Sequence, residues 1–170
     1  MKKWIAIFLV FSATMVQALP EAVRNGEAGW RQWGSGEMTW FGFSLYRATL
    51  WVAGNSPESS PLALQLDYRR DMARDRLVQA SVDEMRRLGA DEAQLQRWEP
   101  ELRRVFPDVK AGDTIIGVHH PGRGASFYFQ GRPRGEVADP EFARRFFAIW
   151  LDPASRSPAL RAALLKRPEG

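Results

Sequence analysis

The chain has only two histidines, and they stand side by side in the stretch 117–125, GVHHPGRGA. Imidazole nitrogens can bind a metal ion or act as a general base, and a glycine-rich turn with an arginine can hold a phosphate. Adjacent strand residues point to opposite faces, so His119 and His120 cannot easily share an ion, and no third ligand follows at H-x-x-x-H spacing. No helix opens after Gly124 to help hold a phosphate. The stretch predicts a hairpin turn between two strands.

Other catalytic patterns are also missing from the sequence. The chain has no cysteine and no G-x-S-x-G motif for a nucleophile. Glu136 with Asp139, and Asp108 with Asp113, are close enough for paired-carboxylate chemistry, but turn and capping roles explain them more simply. The sequence therefore predicts no catalytic residue, no metal site and no cofactor.

Length and charge pattern restrict the class of protein. The chain has 170 residues, 45% of them hydrophobic and 26% charged, which suits one globular domain. Its arginines are interspersed with acids, as in DYRRDMARDR and DEMRRLGADEAQ, which is typical of solvated helix faces. A nucleic-acid binder would concentrate them in one stripe, so no nucleic-acid partner is expected.

The first residues predict an export signal. Lys2 and Lys3 precede the apolar run Trp4–Phe11, and Val16-Gln17-Ala18 has the small-residue spacing of a cleavage site. The apolar segment is about 13 residues long, short of the roughly 20 that span a membrane. We expect a signal peptide at 1–18, a domain at 19–170 and no stable membrane insertion after cleavage. Without cysteine the product is neither a lipoprotein nor a disulfide scaffold, so a soluble periplasmic protein is predicted.

The first half of the domain predicts strands followed by helices. Residues 38–52, MTWFGFSLYRATLWV, read as one strand between the turn clusters Gly34-Ser35-Gly36 and 54–57. Leu62–Tyr68 alternates as a half-buried strand does. Ser81 and Glu84 form a capping-box pattern that predicts a helix start, and Gly89 predicts its end. Asp91 predicts the next helix, which Pro100 should kink or split.

The second half predicts a meander followed by two helices. The β-prone runs 114–118, 125–130 and 135–137 are joined by short turns. Asp139-Pro140 predicts the start of the helix EFARRFFAIWLD, and Ser157-Pro158 repeats the capping pattern ahead of ALRAALLK. This order of elements predicts an α+β domain with helices on a mostly antiparallel sheet.

Aromatic residues are the most suggestive feature, with seven Trp, ten Phe and three Tyr. They concentrate at 30–51, 127–129 and 142–150. Two interpretations remain open, a well-filled core or an apolar cleft between the sheet and the last helices that would hold a small molecule.

Four stretches in order resemble the bacterial chalcone isomerase-like family: GSGEMTWFGFSLYRATLW, PLALQLDYRRD, FPDVKAGDTI with GRGASFYFQGRPRGEV, and DPEFARRFFAIWLDPASRSPALRAALL. The resemblance covers a core of about 34–166. It implies an open-faced β-sandwich of the α+β class, whose sheet is backed by a helical layer with a ligand cleft between them. Enzymes of the family close a flavonoid ring, and non-catalytic relatives hold a fatty-acid carboxylate with an arginine and a tyrosine.

The chain departs from the enzyme pattern at three places. Glu37 and Met38 follow the G-x-G stretch where the resemblance implies an arginine, Phe41 replaces a threonine, and residues 148–150 carry no hydroxyl. These departures favour a non-catalytic binder of a small apolar or fatty-acid-like ligand, and the predicted signal peptide makes it an exported one. Two alternatives remain, an intramolecular lyase or isomerase on an unknown substrate and an envelope protein-interaction module.

Tyr46 matches the strand tyrosine of the family, and this match carries the site hypothesis. It and one arginine would bind an acidic or phenolic head, and aromatic side chains would form the walls. A purely structural role, with a buried phenol bonded to a neighbouring carbonyl, is equally compatible with the sequence. The expected ligand-binding residues are Tyr46, Trp51, Tyr68, Arg70, Phe147 and Trp150.

Overall fold

The computed structural model describes residues 19–26 and 29–167, and within them a six-stranded sheet carries its four longer helices on one face. All neighbouring strands are antiparallel, and their order across the sheet is their order along the chain. The predicted α+β class, with a mostly antiparallel sheet backed by a helical layer, is confirmed. The predicted signal peptide, residues 1–18, lies outside the described residues.

The strands are β1 (Trp30–Trp40), β2 (Phe43–Ala53), β3 (Leu62–Tyr68), β4 (Thr114–His120), β5 (Gly124–Phe129) and β6 (Arg132–Val137). The helices are α1 (Glu21–Arg24), α2 (Arg74–Arg87), α3 (Glu92–Val105), α4 (Pro140–Leu151) and α5 (Pro158–Leu165). Among the described helices, none combines the length and hydrophobicity that crossing a bilayer requires.

The stretch 38–52 is not one strand, as predicted, but the end of β1 and most of β2. Trp40 pairs with Phe43, and the two residues between them turn the chain. Phe41 and Gly42 have φ values of 47° and 78°, and positive φ at both central residues is what a type I′ hairpin turn requires. Phenylalanine rarely adopts a positive φ. The sequence therefore lacked the usual turn residues at Phe41 and was predicted as one continuous strand.

Gly34 and Gly36 do not form the predicted turn, because both lie inside β1. A Cβ atom at Gly34 would collide with the carbonyl oxygens of Ala163 and Leu164, and one at Gly36 would lie 2.9 Å from Leu160 Cδ1. These glycines are therefore required by the close approach of α5 to the backbone of β1.

Ser81 does not start a helix, and the predicted capping box is wrong. It lies inside α2, is 9% exposed, and its hydroxyl donates to the carbonyl oxygen of Leu77 at 2.9 Å. The helix begins at Arg74, whose amide donates to Asp108 Oδ1 at 2.8 Å. The acceptor comes from a residue 34 positions away, so no local pattern indicated this helix start.

The predicted caps at Asp91 and Asp139 are confirmed. Asp91 and Gln94 form a capping box at the start of α3, which continues past Pro100 and so is not split there. Asp139 accepts the amides of Glu141 and Phe142, and its other oxygen accepts the Trp98 indole at 2.8 Å. Ser157 precedes α5 without a capping hydrogen bond.

Each face of the sheet has its own apolar cluster. Leu62, Leu64 and Leu66 of β3 pack under the helices, whereas Ala63 packs on the other face with Trp51, Leu19 and Val23 among others. Both Ala63 and Gln65 are buried, so the prediction that β3 is half-buried is wrong. The segment around α1 covers part of the face that an open sheet would leave to solvent.

Substitution of Gly34 tests the contact between β1 and α5. Gly34→Ala should lower the free energy of unfolding by about 2 kcal/mol or more, because the added methyl group meets backbone atoms that cannot rotate away. Urea denaturation measures the change. Gly26→Ala is the matched control, since no atom of the described chain lies within 4 Å of the position that its methyl group would take, and it should change stability by less than about 0.5 kcal/mol. Equal stability of the two variants would contradict the contact.

Candidate functional site

A cavity of about 710 Å³ lies between the sheet and the helical layer. The helices contact the sheet mainly at its two sides, α5 on β1 and α4 on β4 and β5. Between these two areas of contact, β2 and β3 form the floor of a space that the helices do not fill. Its apolar lining includes Leu64, Leu66, Leu77, Phe106, Phe127 and Phe146. The volume falls within the range of roughly 300–1,000 Å³ that is usual for small-molecule sites.

Two tyrosines supply polar groups to this apolar space. Tyr46 and Tyr68 are directly opposite each other on β2 and β3, with ring centroids 5.7 Å apart. The indole of Trp150 on α4 donates to the Tyr46 hydroxyl oxygen at 3.0 Å. Within the described residues neither phenol has an acceptor for its own proton, so both can donate to a ligand.

Both phenols are neutral at pH 7, as ordinary tyrosines are, and burial moves their ionisation to still higher pH. It raises the pKa of Tyr46 to about 12, an effect that the Trp150 hydrogen bond partly opposes. It also raises the pKa of Tyr68, with a further contribution from the neighbouring Tyr46. At neutral pH the floor of the cavity therefore offers two hydrogen-bond donors and no charge.

The mouth of the cavity is the set of lining residues that are exposed to solvent: Thr39, Trp40, Ala80, Asp83 and Arg156. Arg156 lies in the loop between α4 and α5, and its Nε is 2.8 Å from Glu84 Oε1. Glu84 also pairs with Arg87, at 2.8 Å from Nη2. The terminal nitrogens of Arg156 have no hydrogen bond to another described residue, so the mouth presents a cation with free donors.

The structure brings three of the six expected ligand-binding residues to the cavity. Tyr46, Tyr68 and Trp150 line it. The other three do not: Trp51 lies on the opposite face of the sheet, Arg70 lies outside over the Phe43 ring, and Phe147 packs against Gly117 and His119. The position of Trp51 follows from strand geometry, since an odd separation of five residues from Tyr46 puts the two side chains on opposite faces.

Sequence reasoning missed Arg156 and Phe146. Phe146 lines the cavity in place of its neighbour Phe147, although both lie on the apolar side of α4. Arg156 stands in an irregular loop, where no periodicity indicates which way a side chain points. The one feature of the sequence that could have indicated Arg156 is its position in a loop, because ligand-binding residues are often carried on loops that a rigid sheet positions.

The two histidines face opposite sides of the sheet, as the sequence predicts, but they lie in β4, which extends two residues beyond the predicted run 114–118. His119 and His120 end β4 and point to opposite faces, one stacked on Phe147 with ring centroids 5.3 Å apart and the other 3.0 Å from the Ser126 hydroxyl. Burial, with a smaller effect of His120, lowers the pKa of His119. Across residues 19–26 and 29–167, no three metal-ligating side chains cluster together.

The structure combines an antiparallel sheet, a helical layer and a partly open apolar cavity with a few convergent polar groups, an arrangement that is typical of small-molecule sites. The chain belongs to the chalcone isomerase-like family, whose profile matches residues 14–166. The fold is similar to the crystal structure of a fatty-acid binding protein of Arabidopsis thaliana, at 13% identity and a TM-score of 0.62, over 81% of this chain and 87% of that chain. No curated protein matches the sequence significantly.

Alkaline titration tests the burial of the phenols. An ordinary tyrosine is half ionised at pH 10.0, whereas Tyr46 should stay protonated to about pH 12 in the folded protein. The folded state then binds more protons than the unfolded state, so stability should fall as pH rises above about 10. Ultraviolet absorbance of tyrosinate, with and without denaturant, measures both ionisations. Tyr46→Phe should remove one of the tyrosine ionisations that occur well above pH 10 in the folded protein. Complete ionisation of the folded protein near pH 10 would contradict the burial of the two phenols.

Proposed function

We propose that the protein binds a long apolar ligand with an acidic head in the cavity beside Tyr46, as a binder rather than an enzyme. The observation that carries this proposal is the apolar cavity of about 710 Å³ with two donor phenols in its wall. Membership of the chalcone isomerase-like family and the likeness to a fatty-acid binding fold support it.

The ligand's apolar tail would lie over the middle of the sheet. Leu64 and Leu66 of β3 form the floor there, and Phe127 and Phe146 close the space at the side of α4. Each methylene group that leaves water for such a space contributes about 0.8 kcal/mol. A chain of a dozen carbons therefore has enough apolar surface for tight binding without charged contacts in the cavity.

The head group would lie where the phenols and the mouth meet. An ionised carboxylate with only neutral donors around it loses much of its hydration, which is costly unless a cation is near. Arg156 supplies that cation at the mouth, because Glu84 is shared with Arg87 and only Nε of Arg156 is engaged. Tyr46 and Tyr68 would donate to the head from the cavity side. Arg156 thus takes the role that the sequence analysis gave to Arg70.

We also propose that the protein works outside the cytoplasm, after removal of residues 1–18. Lys2, Lys3, the apolar run and the absence of cysteine support this. A periplasmic fraction should contain a form whose mass corresponds to a chain that begins at Leu19. Native mass spectrometry of that form should also reveal any ligand that copurifies with it.

Closing the mouth tests the site without disturbing the core. Ala80 is exposed on α2 and lines the cavity, so Ala80→Trp should lower the affinity for dodecanoic acid at least about tenfold by occupying the entrance. Gln79→Trp is the matched control, because Gln79 is exposed on the same helix and does not line the cavity. Isothermal titration calorimetry measures both affinities. Similar affinities for the two variants, or no binding by the unmodified protein, would refute the proposal.

The same titrations separate the head group from the tail. Arg156→Gln should weaken dodecanoic acid binding about fivefold, as expected for a partly exposed ion pair, and leave dodecanol binding unchanged. Ala80→Trp should weaken both ligands. An equal loss of both ligands in Arg156→Gln would place the head group away from the mouth.

A further inference from the structure

The turn between β1 and β2 carries an exposed aromatic tip. We call Trp40–Phe43 the hairpin tip. Trp40 is 62% exposed, Phe41 83% and Phe43 57%, and these are the exposed large hydrophobic residues of the described chain. The rings of Trp40 and Phe41 are in contact, with centroids 5.1 Å apart. Single exposed apolar residues are ordinary, but three together at a turn mark an interaction site.

The backbone of the tip adds to this observation. Phe41 has a φ of 47° at a turn position where Asn, Asp or Gly is strongly preferred. The local preference of the sequence and the adopted backbone are therefore in conflict. Neither turn formation nor core packing accounts for a phenylalanine here, because its side chain is almost fully in solvent. Conflicts of this kind concentrate at functional sites.

Arginines surround the base of the tip. The Arg70 guanidinium lies over the Phe43 ring, 4.5 Å from its centroid, and no described carboxylate is within ion-pair distance of it. Arg47 and Arg69 flank Glu37 at 3.5 and 3.7 Å. Arg69 and Arg70 thus place two guanidinium groups beside the tip, and the nearby carboxylates are Glu37 and Asp67, the cross-strand partner of Arg47. Guanidinium groups at this position suit the phosphates of anionic head groups.

The tip is continuous with the mouth of the cavity, since Trp40 belongs to both. Aromatic rings at the level of lipid head groups, with arginines beside them, are the usual composition of a membrane-interface anchor. A two-residue turn is also small enough to enter the head-group layer with its flanking strands still paired. These features together favour a lipid surface over a flat protein partner.

We propose that the hairpin tip docks on a bilayer surface that contains anionic lipid. Phe41 and Trp40 enter the interfacial layer, and Arg69 and Arg70 meet the phosphates. The mouth of the cavity then opens beside the membrane, from which an apolar ligand can pass without crossing water. Docking needs no ligand in the cavity, so it can be tested independently of the proposed function.

Vesicle sedimentation tests the docking with ligand-free lipids. The purified protein should sediment with vesicles of phosphatidylcholine and phosphatidylglycerol, and less with phosphatidylcholine alone. Phe41→Asn should lower the partition coefficient about fivefold. Because asparagine suits a type I′ turn, this variant should fold with an equal or higher Tm. Loss of binding without loss of stability therefore separates the docking role from a folding defect.

Further variants complete the test. Arg70→Gln should reduce binding to anionic vesicles, whereas Arg132→Gln, exposed on β6 at the opposite edge of the sheet, should not. Brominated lipids should quench part of the Trp emission, and that part should be lost in Trp40→Phe. Ala80→Trp should bind vesicles normally, which keeps this result distinct from ligand binding.

Three results would overturn the docking proposal. The first is that Phe41→Asn binds vesicles as well as the unmodified protein does. The second is that the unmodified protein sediments with neither kind of vesicle. The third is self-association in light scattering that Phe41→Asn abolishes, together with no vesicle binding. That result would assign the hairpin tip to contact between two copies of the chain.

Discussion

The hydrogen bond from Trp150 to Tyr46 joins the helical layer to the sheet inside an otherwise apolar interior. Either group left without a partner there would cost about 1–3 kcal/mol, so the bond strongly favours one position of α4 over the sheet. The other end of α4 is held by Asp139, which caps the helix and accepts the indole of Trp98 on α3. With both ends fixed by polar contacts, α4 packs on β4 and β5 and reaches β2 through Trp150, and the cavity over β2 and β3 can persist.

Glycines decide where the helices come close to the sheet. Gly34 and Gly36 allow α5 to lie against the backbone of β1, and Gly117 makes room for an aromatic ring of α4 on β4. Between these two lines of contact, Tyr46 of β2 and Tyr68 of β3 line the cavity. The cavity is thus the space left between two close approaches. The aromatic residues of the chain serve both interpretations drawn from the sequence, a well-packed core at the sides and the wall of a cleft in the middle.

The proposed ligand and the proposed membrane contact meet at one place in the molecule. The cavity offers neutral donors inside and an arginine at its mouth, and the hairpin tip beside the mouth exposes aromatic rings that water does not favour. A ligand that is poorly soluble in water has to leave and enter a lipid phase. In the proposed docked state the opening lies next to the membrane, which shortens the exposure of the ligand's tail to water, the main free-energy cost of such a transfer.

The sequence by itself determined the class of fold, the family and most elements, because caps such as Asp91 and Asp139, strand alternation and motif order act within short stretches. The same patterns failed where the capping residue is distant in the sequence. Ser81 was predicted to start α2, but it lies inside that helix, whose first amide donates to Asp108. Only the tertiary structure decided which half of the expected ligand-binding residues line the cavity, and that Arg156 stands at its mouth. The physical reason is that a cavity is bounded by side chains from separate elements, and its shape depends on how closely those elements pack, which no single segment encodes.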